Sequence, residues 1–185
     1  MGIQGAGRPG VFRANMGERF EQMLLPHLDA AYNLARWLLR SRADAEDAVQ
    51  ESFLRALRFY EGFRGGDARA WLLKIVRNTC YSWARKNRVG GQEEEFDETV
   101  HSEPEKRADA EAKLVSRAES ERVRGALEAL PEAFREVLVL REIEGLSYKE
   151  IADVTGVPMG TVMSSLSRAR QKLREQLQTP VRKEA

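Results

Sequence analysis

Side chains able to carry covalent or metal chemistry are scarce in this chain. It has one cysteine, Cys80, and two histidines, His27 and His101, far apart in sequence. No Gly-rich phosphate loop and no Cys/His ligand spacing occurs. An intrachain disulfide and a multi-cysteine zinc site are excluded, and no catalytic residue, metal or cofactor is expected. Cys80 falls on the apolar side of a helical pattern and reads as a core residue rather than a redox sensor. The chemistry that remains is charge. Asp44, Glu46, Asp47 and Glu51 crowd two turns. Lys74, Arg77, Tyr81, Arg85 and Arg88 recur every three or four residues and so share one helix face. Arg168, Arg170, Lys172 and Arg174 form a third cluster with no acid among them.

The net charge of +1 hides a partition. Residues 1–88 hold fifteen Lys and Arg against nine Asp and Glu; residues 89–118 hold four against nine; residues 119–185 are balanced. The basic part is a candidate nucleic-acid face and the acidic middle reads as a linker. At 185 residues the chain fits one or two small domains, and 42% apolar residues suffice for their cores. No apolar run approaches the roughly 20 residues that span a bilayer, and the N-terminus has no signal-peptide block. The expected compartment is the cytoplasm.

The elements that must position these charges are all helical. "PHLDAAYNLARWLL" spaces Leu28, Tyr32, Ala35, Leu38 and Leu39 at helical intervals. The next helix, with Ser41 or Asp44 as cap, turns Ala45, Val49, Phe53, Ala56, Leu57 and Tyr60 inward. "EGFRGGDAR" breaks the pattern, and Asp67 can cap a third helix whose apolar side is Trp71, Leu72, Ile75, Val76, Thr79, Cys80 and Trp83. Residues 1–17 read as a disordered leader, 18–88 as a first helical block, 89–118 as a flexible acidic linker, 119–178 as a second block and 179–185 as a tail. In the second block Pro131 opens one helix and Gly145 stops it. "SYKE", from Ser147, has the form of a capping box. A short helix ends at Gly156, and Pro158 opens the last one.

"LSYKEIADVTGVPMGTVMSSLSRARQKL" is the strongest local signal. Small Ala152, turn-forming Gly156 and the anchors Val162 and Leu166 make a helix-turn-helix, whose second helix enters a major groove. The face from Lys74 to Arg88, with Tyr81 interleaved, suits phosphate contact plus stacking on separated strands; an Arg-rich solvated face accounts for it equally well. The glycines of "FRGGDAR" allow close backbone approach, and Phe63 and Arg64 are suited to pin an unpaired base.

In order, "DAEDAVQESFLRAL", "FRGGDARAWLLKIVRNTCYSWARKNR" and "LPEAFREVLVLREIEGLSYKEIADVTGVPMGTVMSSLSRARQKL" resemble the extracytoplasmic-function (ECF) group of bacterial sigma factors, within the sigma-70 superfamily. The resemblance covers about residues 20–88 and 119–177. It implies an all-α chain with a three-to-four-helix region 2, which melts the −10 element, and a helix-turn-helix region 4, which reads the −35 element. The implied partners are core RNA polymerase (the β′ clamp helices and the β flap), promoter DNA and an anti-sigma factor. The implied role is promoter-specific initiation, in a group associated with stress responses.

The same resemblance assigns residues. Asp47, Gln50 and Glu51 would meet the clamp helices, with Phe53 and Leu54 at the margin; Asp44 and Glu46 fit that contact and a helix-dipole role equally. Phe63, Arg64, Gly65, Asp67 and Arg69 would line or support a pocket for a flipped −10 base, and Lys74, Arg77, Asn78, Tyr81 and Arg85 would hold the strand. Trp71 reads mainly as core, although it lies at the fork junction. Thr161, Ser164, Ser167, Arg168 and Arg170, with Ser147 and Lys149 on the preceding helix, would meet the −35 duplex. Here the chain departs from the family, whose usual run is "GTVKSRLSRAR": Met163 and Ser165 replace two basic residues. The acid run Glu93–Glu111 would thread a polymerase channel as a phosphate mimic or serve only as a solubilising tether. A stand-alone helix-turn-helix regulator would explain the C-terminal motif but leave residues 44–57 and 63–88 idle, and an enzyme has no supporting motif.

Overall fold

Residues 9–90 and 110–178 are described by a computed structural model. They form helices α1 (Pro9–Leu24), α2 (Leu28–Leu39), α3 (Arg42–Phe59), α4 (Ala68–Gly90), α5 (Ala110–Glu128), α6 (Glu132–Leu138), α7 (Tyr148–Thr155) and α8 (Met159–Gln178). There is no strand among them. The leader residues 1–8, the linker residues 91–109 with His101, and the tail 179–185 lie outside the described residues.

Helices α2, α3 and α4 pack pairwise. The Ser41 hydroxyl caps α3 by accepting from the Asp44 N–H at 3.2 Å. Ala45, Ala48, Val49, Ser52 and Ala56 form its buried face. These small residues let the neighbouring helices approach closely, while Leu72, Leu73 and Val76 of α4 are completely buried. Each such side chain contributes roughly 1.5–3 kcal/mol. Leu57, expected on the buried face, is exposed; it lies off the Ala-rich stripe that meets α2 and α4. Residues 9–17, expected in a disordered leader, are helical. Pro9 stands at the first position of α1, where its fixed φ suits a helix, and buried Phe20 and Leu24 fix the other end to the bundle.

In the C-terminal half Pro131 is the N-cap residue, so α6 starts one residue later than expected. The helix continues through a π turn, Val139–Ile143, and stops at Gly145, whose φ is +67°. The Ser147 hydroxyl accepts from the Glu150 N–H at 3.2 Å, and the Glu150 carboxylate accepts from the Ser147 N–H at 2.6 Å, completing the capping box. Gly156 closes α7 in the left-handed conformation, φ +75°, with its N–H on the Ala152 carbonyl at 2.8 Å. Val162, Leu166 and Ala169 of α8 and Ile151 and Val154 of α7 are buried in the same core.

The two halves also pack on each other. Helix α4 meets α7, and α2 meets α6. Arg40, at the positive φ of 64°, donates from its guanidinium to the Glu128 carbonyl at 2.9 Å. The Arg135 guanidinium reaches the same carbonyl at 3.1 Å. Two cations thus satisfy the C-terminal end of α5.

Candidate nucleic-acid interface

The acidic helix presents a mixed surface. Asp47 and Gln50 are exposed, Asp44 and Glu51 half-buried, and Phe53 rests against the core. Leu54 is 59% exposed, a large apolar side chain beside carboxylates. Glu51 is held within the fold: its Oε2 accepts from the Trp83 indole N–H at 2.7 Å, and Arg55 binds the other oxygen. The indole bond is the largest influence lowering its carboxyl pKa, and Arg55 adds to it. Trp83 therefore fixes the acidic helix to the basic one, a role its place in an apolar stripe did not reveal.

The loop before α4 turns through Gly65 and Gly66, with φ of +86° and +107°. An added Cβ would meet nothing within 4 Å at either. The glycines therefore serve the backbone conformation, which L side chains rarely adopt. Asp67 caps α4, its Oδ1 accepting from the Ala70 N–H at 2.8 Å, and that bond holds its carboxyl below the usual range. Phe63 packs on Trp71 with ring centroids 4.7 Å apart. Arg64 is exposed beside that pair. On α4 itself Lys74, Asn78 and Arg85 are exposed, while Arg77 and Tyr81 are half-buried. Arg88 lies in the last turns of the helix.

Arg77 and Tyr81 face the C-terminal half. Nε–H of Arg77 donates to Oε1 of Glu136 at 2.6 Å, and a terminal N–H donates to Oε2 at 3.3 Å. The Tyr81 hydroxyl donates to the same Oε2 at 3.1 Å. The guanidinium lies 4.5 Å from the Tyr81 ring centroid. Burial raises the Glu136 and Tyr81 pKa values, and Glu136 pushes that of Tyr81 further. Arg69 is hydrogen-bonded to Oε2 of Glu144, whose Oε1 accepts from the Asn33 amide at 3.3 Å. Glu136 and Glu144 were not expected as site residues. One signal was available: they flank Leu140 at spacings of four, so all three share a helix face that Leu140 requires to be covered.

On α8 the residues Thr161, Met163, Ser164, Ser167 and Arg168 are exposed, and Lys149 is exposed on α7. The Ser164 hydroxyl donates back to the Thr161 carbonyl at 3.0 Å, and Ser147 is engaged as the cap of α7. Arg170 is clamped by Glu142, its Nε and terminal N–H donating to Oε1 at 3.0 and 2.7 Å, which raises its pKa. Cys80 is buried, and burial pushes its thiol up to about 12. Among the described residues no group of three or more His, Cys, Asp or Glu is arranged to hold a metal ion, and no helix is long and apolar enough to cross a membrane.

Comparison with known proteins matches these elements in order. A family model described as "Sigma-70 region 2" matches residues 23–89, and one described as "Sigma-70, region 4" matches residues 120–173. The ECF RNA polymerase sigma factor SigE of Mycolicibacterium smegmatis is 34% identical over 161 residues, 85% of this chain; the match spans 61% of that relative's length. The ECF RNA polymerase sigma-E factor of Haemophilus influenzae is 36% identical over 75% of this chain and 77% of its own. Among solved structures, the sigma factor RpoE in complex with the anti-sigma factor NepR from Bartonella quintana superposes with a TM-score of 0.69. That match has 32% identity and covers 88% of this chain and 99% of that one. A stand-alone helix-turn-helix regulator leaves the region 2 match without a role. The chain belongs to the extracytoplasmic-function sigma factors of RNA polymerase, which direct promoter-specific initiation of transcription.

Proposed function

We propose that the chain binds core RNA polymerase through the exposed face of α3 and carries the enzyme to promoters through α4 and α8. Asp47, Gln50 and Leu54 supply polar and apolar contacts to the β′ clamp helices, with Asp44, Glu51 and Phe53 supporting that surface. The single observation that carries this reading is the exposed run Asp47–Gln50–Leu54 on a helix pinned by Trp83 to the basic α4. Polymerase binding and strand binding thereby share one rigid bundle.

The −10 element is held by the loop and α4. Phe63 and Arg64 grip a flipped base; Gly65, Asp67 and Arg69 shape the loop; Lys74, Arg77, Asn78, Tyr81 and Arg85 hold the strand. Melting needs no covalent step, because stacking and phosphate contacts on the separated strand offset the few kcal/mol of unstacking. The chain acts by binding, without turnover, in the cytoplasm. The −35 duplex is met by Thr161, Met163, Ser164, Ser167, Arg168 and Arg170, with Ser147 and Lys149 at the groove edge. The β flap contacts the C-terminal half, and an anti-sigma factor controls the chain, as the RpoE–NepR complex exemplifies for a similar protein.

Titrating core RNA polymerase with fluorescently labelled protein tests the docking surface. Asp47→Ala/Gln50→Ala is expected to weaken core binding on the order of tenfold or more, in line with loss of central interface contacts. Unchanged affinity would remove α3 from the interface.

A further inference from the structure

Two large apolar side chains stand in water on the helix assigned to the −35 duplex. Met159 is 52% and Met163 51% exposed, one turn apart at the start of α8, so they form one ridge. No charged residue occurs from Val154 to Ser167. The first turns of α8 therefore hold no guanidinium fork for guanine and no carboxylate for cytosine. Thr161 and Ser164 carry hydroxyls, but that of Ser164 donates to the Thr161 carbonyl at 3.0 Å. A hydroxyl both donates and accepts, so it discriminates weakly between bases.

Gly160 lies between the methionines in ordinary helical backbone, and an added Cβ there would meet nothing within 4 Å. Neither the packing nor the backbone conformation of this chain calls for a glycine at that place. The open space beside the ridge admits a close groove wall.

The N-terminal residues of a recognition helix are the ones that reach base edges. The apolar group a major groove offers there is the C5 methyl of thymine, and a flexible, polarisable thioether settles on it readily. Residues four apart in a helix rise about 6 Å, and base pairs are spaced about 3.4 Å apart, so the ridge spans one or two base steps. An arginine at position 163 would be long enough to pass these edges and reach a phosphate; a methionine has no charge to hold there.

We propose that Met159 and Met163 read thymine methyl groups one or two base steps apart in the −35 duplex, with Gly160 letting the groove approach to contact distance. This inference rests on the assignment of α8 to the −35 element.

The test uses the full chain bound to core RNA polymerase and fluorescent duplexes recovered from a library with a randomised −35 region. Each thymine of a recovered duplex is replaced in turn by deoxyuridine, which lacks the methyl and keeps the Watson–Crick hydrogen bonds. Wild type is expected to lose at least threefold in affinity at one or two neighbouring positions and nothing elsewhere. Met159→Ala/Met163→Ala is expected to bind the thymine and deoxyuridine duplexes alike, at the weaker level, with its affinity for core polymerase unchanged. Gly160→Ala is expected to unfold no earlier in urea and yet to bind the duplex more weakly, a split that a merely structural glycine would not give. Deoxyuridine without effect at every position, no thymine preference among the recovered duplexes, or a methionine variant that loses core affinity instead would overturn the methyl contact. Arg168→Ala separates that failure from failure of the −35 assignment. Weakened duplex binding by Arg168→Ala would leave α8 assigned to the −35 element; wild-type binding by both it and the methionine variant would count against the assignment itself.

Discussion

Trp83 on α4 and Glu51 on α3 are joined by a hydrogen bond of 2.7 Å from the indole N–H to the carboxylate. It ties the acidic helix to the basic one, so their charges act as opposite faces of one body. Trp83→Phe removes the donor and keeps most of the ring. Glu51 retains Arg55 and is partly solvated, so the loss should be small, about 1 kcal/mol in urea unfolding. The pH dependence has a definite sign. The folded carboxyl pKa lies below its ordinary value of 4.5, so the contribution is present above that value and is lost as pH falls through the folded pKa. Trp83→Phe should flatten that part of the acid limb. An identical acid limb in the variant would deny the bond a role.

Phe63 is half-buried against Trp71 in the loop before α4 that is proposed to hold the −10 element. Phe63→Ala should cost about 1 kcal/mol of stability, the typical worth of an aromatic pair. Base stacking on an aromatic is worth about 1–3 kcal/mol, so promoter opening should fall on the order of tenfold. Permanganate reactivity of unpaired thymines, measured at saturating core polymerase, reads this directly. Wild-type reactivity in Phe63→Ala would show that the flipped base is held elsewhere.

Met163 stands 51% exposed on α8, at a position where the resemblance to the family implies a cation. Met163→Arg should tighten binding to a −35 duplex and steepen the dependence of log affinity on log salt by about 1, the signature of one added phosphate contact. Fluorescence anisotropy across a salt series measures the slope. An unchanged slope would show that position 163 does not face the backbone.

Cys80 is buried, and its thiol holds its proton up to about 12, against an ordinary value of 9.0. At pH 8 the native thiolate fraction is on the order of one in ten thousand. Ellman's reagent should leave the native protein unmodified and react fully in denaturant. The native state also binds the extra proton between 9.0 and about 12, so stability falls as pH rises through that window. Cys80→Ala should fall less steeply. Rapid labelling of the native protein at pH 8 would contradict the burial.

Much of this was legible in the sequence because it is local. Ser41, Ser147 with Glu150, and Gly156 act where capping and turn rules put them. Leu72, Val76, Thr79 and Cys80 are buried as their spacing requires, with Ile75 half-buried beside them. Leu57 was misread because periodicity alone cannot say how wide a buried stripe is. Glu136, Glu144 and Trp83 were missed for a different reason. Their meaning depends on partners 32 to 75 residues away, and charge periodicity gives no account of such long-range pairing.

In the proposed function α3 recruits core polymerase for promoter-specific initiation. Run-off transcription with purified core RNA polymerase, on a promoter taken from upstream of the protein's own gene, tests it most directly. Wild type should yield a defined transcript that core alone does not, and Asp47→Ala/Gln50→Ala should lose most of it while remaining folded. A double variant that initiates as well as wild type, or a wild type that leaves core polymerase unchanged while binding duplex DNA alone, would contradict it.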